Sequence, residues 1–155
     1  MPGAVKAGVM IATTVISTAV TIYGQMQQAK AAKATAAYNA SLNRMDIEQN
    51  NRNRAIEKAQ DKKKYYFSQQ KAANQQYPMD WQFADLESFE YQALIKDYNV
   101  AQQNQTLEAR ARGGIYQGNV KAANLQTAMV GTALGGAGDA LSAGQDPTTG
   151  KSYWA

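Results

Sequence analysis

From Gln25 to Gln76 the chain contains neither glycine nor proline. Ala, Gln, Lys, Arg and Glu dominate the run, and all of them sit comfortably in a helix. A long helix is therefore the clearest expectation for this chain. A heptad-like series runs through it at Tyr38, Leu42, Met45, Gln49, Arg52, Ile56, Ala59, Lys63 and Tyr66. Gln49, Arg52 and Lys63 interrupt the apolar pattern, so the series is a leaky seam that suits a shared wall in a bundle or ring.

Upstream lies a different kind of sequence. Between Lys6 and Lys30 there is no charge, and AGVMIATTVISTAVTIYG is apolar and rich in small residues. Ala4, Gly8 and Ala12 form one small-residue row at four-residue spacing, and Thr13, Ser17 and Thr21 form another. Such rows let helix backbones approach closely. Residues 1–24 are thus expected as an apolar N-terminal helix. A buried strand is the competing reading, because Val, Ile and Thr favour sheet. As a membrane span the segment is marginal, since four threonines and a serine dilute its Val, Ile and Met. A helix buried in an oligomer and conditional membrane insertion both fit it. It makes a poor signal peptide, because helix-forming sequence follows where a polar cleavage region belongs.

Downstream, Tyr77-Pro78-Met79-Asp80 should end the long helix, with Asp80 capping a second one over roughly Trp81–Arg112. Asp85, Glu87 and Glu90 near its start and Arg110 and Arg112 near its end suit the helix dipole. Nine of the 14 aromatics lie between Tyr65 and Tyr98. Trp81, Phe83, Phe89 and Tyr91 are therefore the candidate hairpin core, with Tyr98 beside them. Gly113-Gly114 should break the second helix. Residues 113–143 form a second small-residue segment, helical and Gly/Ala-rich, in which Gly114/Gly118 and Gly131/Gly135 match GxxxG. Residues 144–155 read as a flexible tail.

Composition limits the chemistry. There is no cysteine and no histidine, which excludes disulfides and the usual zinc sites and removes the best acid–base side chain near neutral pH. No nucleophile elbow or phosphate loop is present. Asp85, Glu87 and Glu90 read as solvated dipole partners rather than paired catalytic carboxylates. The expectation is a non-enzyme without cofactor or metal. Of the apolar residues, 28 are alanine, and Asn and Gln together number 27, so a self-sufficient core is doubtful and the fold should lean on neighbouring subunits. Residues 1–79 carry 11 basic and 4 acidic groups, whereas residues 80–108 carry 1 basic and 6 acidic. That asymmetry suggests electrostatic docking between protomers, or onto DNA or phospholipid. Lys62, Lys63 and Lys64, followed by Tyr65, Tyr66 and Phe67, join charge to stacking surface as single-strand binders do, although a solvated helical face is the simpler reading.

The segments GVMIATTVISTAVTIYGQ, AKAAKATAAYNASLNRMDIEQ and GGIYQGNVKAANLQTAMVGTALGGAGDALSAG, in that order, resemble the small internal virion (ejection) protein of short-tailed bacteriophages. The resemblance lies in layout and composition and covers most of the chain. It implies a subunit of a homo-oligomeric core inside the capsid, next to other internal virion proteins and portal or tail proteins. At infection such proteins leave through the tail and help form a conduit across the host envelope for the genome.

The combined expectation is an all-α protein of long helices in an extended hairpin or bundle, with a 25–112 hairpin broken near Pro78 and assembled as an oligomer. Gly8, Ala12, Ile16, Val20, Gly118, Gly131 and Gly135 are the candidate membrane or inter-subunit contacts. Lys62, Lys63 and Lys64 are candidates for DNA or lipid headgroups. The competing functions are a holin-like membrane protein, a soluble scaffold or adaptor of the virion, and a nucleic-acid-binding module.

Overall fold

The computed structural model describes residues 2–76, 78–143 and 145, and describes the side chains of all of these except residues 2–9 and Asp80. The described chain folds into two long helices, α1 over Pro2–Asn74 and α2 over Met79–Ala143. The all-α expectation holds, and the strand alternative for the N-terminal segment does not. Its threonines are accommodated because their hydroxyls bond back to their own helix. Thr14 and Thr18 donate to the carbonyls of Met10 and Thr14, each at 2.9 Å, and Thr21 donates to Ser17 at 3.0 Å. Thr13 and Ser17 make similar bonds three residues back. The segment therefore needs no outside partner for these groups. The 144–155 tail, Gln145 excepted, lies outside the described residues.

The turn follows from local chemistry. The Gln75 amide bonds the Lys71 and Ala72 carbonyls, and the Gln76 amide bonds Ala73 at 3.3 Å. Gln76 then adopts a left-handed conformation, φ 54°, where helices commonly place glycine. The Trp81 amide donates to the Pro78 carbonyl at 3.1 Å. Pro78, not Asp80, thus stands at the helix boundary, and α2 begins two residues earlier than expected. The side chain of Asp80 is outside the described set.

At the other glycine pair the expectation fails. α2 runs through Gly113-Gly114 without a break. Each glycine in a helix costs about 1 kcal/mol relative to alanine. Ala111, Gly118 and Ala122, all buried against α1, flank the pair and hold the backbone helical. Nor does residue 24 mark a boundary. The chain divides into two compact units inside the helices: unit 1 combines Met1–Ala37 with Ile115–Ala155, and unit 2 is Tyr38–Gly114.

In unit 1 the inward positions of α1 include Ile11, Thr14, Thr18, Ile22, Gln25, Ala29, Ala32 and Ala36, at steps of three and four residues. Those of α2 include Gly118, Ala122, Leu125, Met129, Thr132 and Gly136. Small residues set the helix separation. A methyl group at Gly118 would overlap the Ala36 side chain and sit 3.2 Å from the Ala32 carbonyl oxygen. One at Gly136 would sit 3.0 Å from Thr18 Cβ.

In unit 2 the inward positions of α1 run Ala40, Asn43, Ile47, Asn50, Arg54, Glu57, Asp61 and Tyr65. They face α2 in antiparallel order. Tyr65 stacks on Phe89, with centroids 4.8 Å apart and planes 23° apart. Asn104 exchanges amide hydrogen bonds with Asn50 at 3.2 Å and Asn51 at 2.7 Å.

The seams bury little. The buried hydrophobic residues are Ala29, Ala40, Ala111 and Ala122, and no large side chain among those described is fully buried. The chain exposes 11659 Å², whereas a folded monomer of 16.8 kDa exposes roughly 7,700 Å².

Candidate assembly surfaces

Most of the large apolar side chains described face outward. In unit 1, Val15, Ile16, Val20 and Tyr23 on α1 and Tyr116, Val130, Leu134 and Leu141 on α2 are all exposed. Ile16 is 64% exposed and Val20 67%, and Ala12 is exposed beside them. These three candidate contacts are available to a neighbour. A Cβ at Gly131 or Gly135 would meet nothing within 4 Å, so both lie on open surface. Gly118 does not. It is buried in the intramolecular seam against Ala36, because only a residue without a side chain fits at that approach. The side-chain surroundings of Gly8 fall outside the description.

In unit 2 the expected hairpin core is largely turned around. Of its four aromatics only Phe89 points inward, onto Tyr65. Trp81, Phe83 and Tyr91 are 65–67% exposed, and Tyr98 is exposed with them. The helical period explains this. Gln82, Leu86, Phe89 and Ala93 hold the inward positions, and residues 83, 91 and 98 lie away from that line. Trp81 lines an open cleft with Ser68, Lys71, Ala72, Gln82 and Asp85.

The nine-residue series from Tyr38 to Tyr66 is likewise exposed at every position. It is a real stripe, but on the side of α1 turned away from α2. The inward stripe lies roughly half a turn away and is mostly polar, with Ala40, Ile47 and Tyr65 among Asn43, Asn50, Arg54, Glu57 and Asp61. Its midpoint is a charge network that the sequence reading missed. Arg54, 7% exposed, donates from Nε to Asp97 Oδ1 at 2.7 Å and from Nη2 to the Ala93 carbonyl at 3.0 Å. Lys58 Nζ meets Asp97 Oδ2 at 3.0 Å. Lys96 Nζ bridges Glu57 at 2.8 Å and Asp61 at 2.7 Å. Three cations meet three anions, so the network is neutral. The available signal was the three-and-four spacing of Asn50, Arg54, Glu57 and Asp61, which continues the line of Ala36, Ala40, Asn43 and Ile47.

The network shifts its own titrations. The Lys96 ammonium, by hydrogen bonding, holds Asp61 below the usual carboxylate range. Lys58 and then Arg54 do the same to Asp97. Lys96 is pushed up by its bonds to Asp61 and Glu57. Burial raises the Tyr65 phenol, with Asp85 and Glu90 adding to the effect.

Lys62, Lys63 and Lys64 are all exposed. Lys62 and Lys63 line a shallow groove on α1 with Ala59, Tyr66, Phe67 and Gln70. Lys64 lies instead in a groove that includes Asp61, Tyr65 and Asp85. Among the described residues there is no group of acidic side chains placed to hold a metal ion. Over the same residues, no helix is long and apolar enough to cross a membrane.

No protein-family model, curated protein or solved structure matches this chain.

Proposed function

We propose that this protein is an internal virion protein of a short-tailed bacteriophage, a helical subunit that assembles in the particle and contacts the host envelope when released. The observation that carries this reading is how many large apolar side chains face outward, while small and polar residues share the seams with only a few large ones such as Ile22, Ile47, Phe89 and Leu125. The family resemblance of the sequence supplies the biological setting.

The physical logic is an exchange of neighbours. In the particle, the outward faces are covered by other copies and by internal virion, portal or tail proteins. After release, the same faces meet a bilayer. Fully burying one Val, Ile or Tyr-sized side chain is worth about 1.5–3 kcal/mol. Val15, Ile16, Val20 and Tyr23 are 54–67% exposed, so together they offer a gross gain of about 4–7 kcal/mol to whichever environment covers them. Only the difference in affinity between protein and lipid neighbours drives the exchange. The exposed Thr13, Ser17 and Thr21 of α1 suit this face to an apolar surrounding, because their hydroxyls are already bonded to their own helix. In this reading membrane contact is lateral, with the helix face lying in the interface. Exposed Lys30 and Lys33 follow the apolar stretch and would meet anionic headgroups.

Two measurements test the proposal. Mass spectrometry of purified particles before and after genome release should find the protein in full particles and not in emptied ones. Flotation with anionic liposomes should recover the full chain, and the double substitution Ile16→Glu, Val20→Glu should abolish recovery. Presence in particles without flotation would favour the scaffold reading, in which the same faces serve protein neighbours alone.

A further inference from the structure

We infer that unit 2 carries a two-sided, head-to-tail interface for copies of its own chain, in which the outward face of α1 on one copy receives the outward face of α2 on the next. This goes beyond the virion reading and does not depend on it.

The two faces are complementary in pattern and in charge. On α1, Ala59, Lys62, Lys63, Tyr66, Phe67 and Gln70 fall at helical spacing on one face and line a single groove. It is cationic with an aromatic floor. On α2, Phe83, Glu87, Glu90, Tyr91, Leu94 and Tyr98 recur at i, i+4, i+7, i+8, i+11 and i+15, and all six are exposed. It is anionic with an apolar floor. None of the four charged residues takes part in the neutral network of the seam, which uses Arg54, Glu57, Lys58, Asp61, Lys96 and Asp97. Opposite charges on facing stripes fix orientation and register, and the apolar side chains between them supply most of the attraction.

The partner is a second copy because the chain itself holds both halves. A surface meant for DNA would need the lysines but would have no use for a matching anionic aromatic stripe. The geometry also fixes the kind of contact. Each stripe lies on the side of its helix turned away from the other helix, so one neighbour cannot cover both. Every copy then uses α1 toward one neighbour and α2 toward another, a heterologous contact that closes into a ring or propagates.

Charge reversal on the full chain tests this by sedimentation velocity. The unaltered chain should sediment well above its 16.8 kDa monomer. Lys62→Glu with Lys63→Glu should give monomer, and so should Glu87→Lys with Glu90→Lys. An equimolar mixture of the two variants should reassemble, because each supplies the face the other lacks. Added to the unaltered chain, either variant should shorten the assemblies, since it retains one working face and terminates growth. All four residues lie on the surface, so circular dichroism should show helicity unchanged. If a reversal does lower helicity, Tyr66→Gln and Tyr91→Gln replace it and should likewise give monomer. The inference is overturned if the unaltered chain is a monomer, if the variants assemble as it does, or if the mixture stays monomeric. Binding of the unaltered monomer to DNA or anionic vesicles, lost in the lysine variant alone, would also overturn it.

Discussion

Gly118→Ala adds one methyl group where the helices of unit 1 come closest. The new Cβ would overlap the Ala36 side chain and lie 3.2 Å from the Ala32 carbonyl oxygen, against about 3.5–4.0 Å for comfortable carbon contact. Both obstacles are fixed to the backbone, so no rotamer change relieves them and the helices must move apart. Overpacking of this kind costs about 1–3 kcal/mol. It is offset by the gain of about 1 kcal/mol when alanine replaces glycine in a helix, leaving Gly118→Ala neutral to about 2 kcal/mol destabilising. Gly131→Ala and Gly135→Ala provide the control. They lie in the same helix and unit, and their new methyls meet nothing within 4 Å, so each should stabilise by about 1 kcal/mol. Ala36→Gly combined with Gly118→Ala moves the methyl across the seam and should recover part of the loss. Hydrogen exchange of the unit 1 amides, with thermal melts followed at 222 nm, reads the differences; 1 kcal/mol corresponds to about 4–8 °C for a unit of this size. Equal stabilisation by Gly118→Ala and Gly131→Ala would refute the close approach and the seam built on it.

Other outcomes follow from unit 2. Arg54→Ala removes a nearly buried guanidinium that bonds Asp97 and the Ala93 carbonyl, leaving Asp97 to Lys58 alone, so it should destabilise the unit by about 1–3 kcal/mol in urea melts. Arg52→Ala, which breaks only an exposed pair with Glu48, should cost under about 0.5 kcal/mol. Asp61 and Asp97 titrate lower in the folded chain than in the unfolded one. Their contribution is therefore complete above roughly pH 4 and is lost as pH falls through their lowered values. Lys96 and Tyr65 are shifted up, so their contribution is present below roughly pH 10 and lost as pH rises further. Chemical-denaturation midpoints across pH should show unit 2 weakening at both extremes. Gln76→Gly relieves a left-handed non-glycine residue at the turn and should raise stability by about 1 kcal/mol; a loss would mean that the side chain, not the backbone, decides this position.

The all-α architecture was legible because long glycine-free and proline-free sequence leaves the backbone few alternatives. The turn was legible because Pro78 forbids continuation. What sequence periodicity could not assign was the direction in which each stripe faces. Tyr38 to Tyr66 forms an apolar series at helical spacing, and such a series ordinarily marks the inward face. Here the inward face follows Ala40, Asn50 and Arg54, since small and hydrogen-bonded residues allow closer contact between helices. The same inversion turned Trp81, Phe83 and Tyr91 outward while leaving Phe89 on Tyr65. Gly113-Gly114 misled because helix propensity is local, whereas the buried alanines on either side of the pair act through packing. The charge network was hidden because Arg54, Glu57 and Asp61 resemble any solvated charges until their partners on α2 are known.

The outward apolar faces require neighbours. The most direct test is the molar mass of the purified full chain in detergent-free buffer, by light scattering across a hundredfold range of concentration. The expected result is a defined multiple of 16.8 kDa that dissociates on dilution. A helical, cooperatively unfolding monomer at every concentration would contradict it.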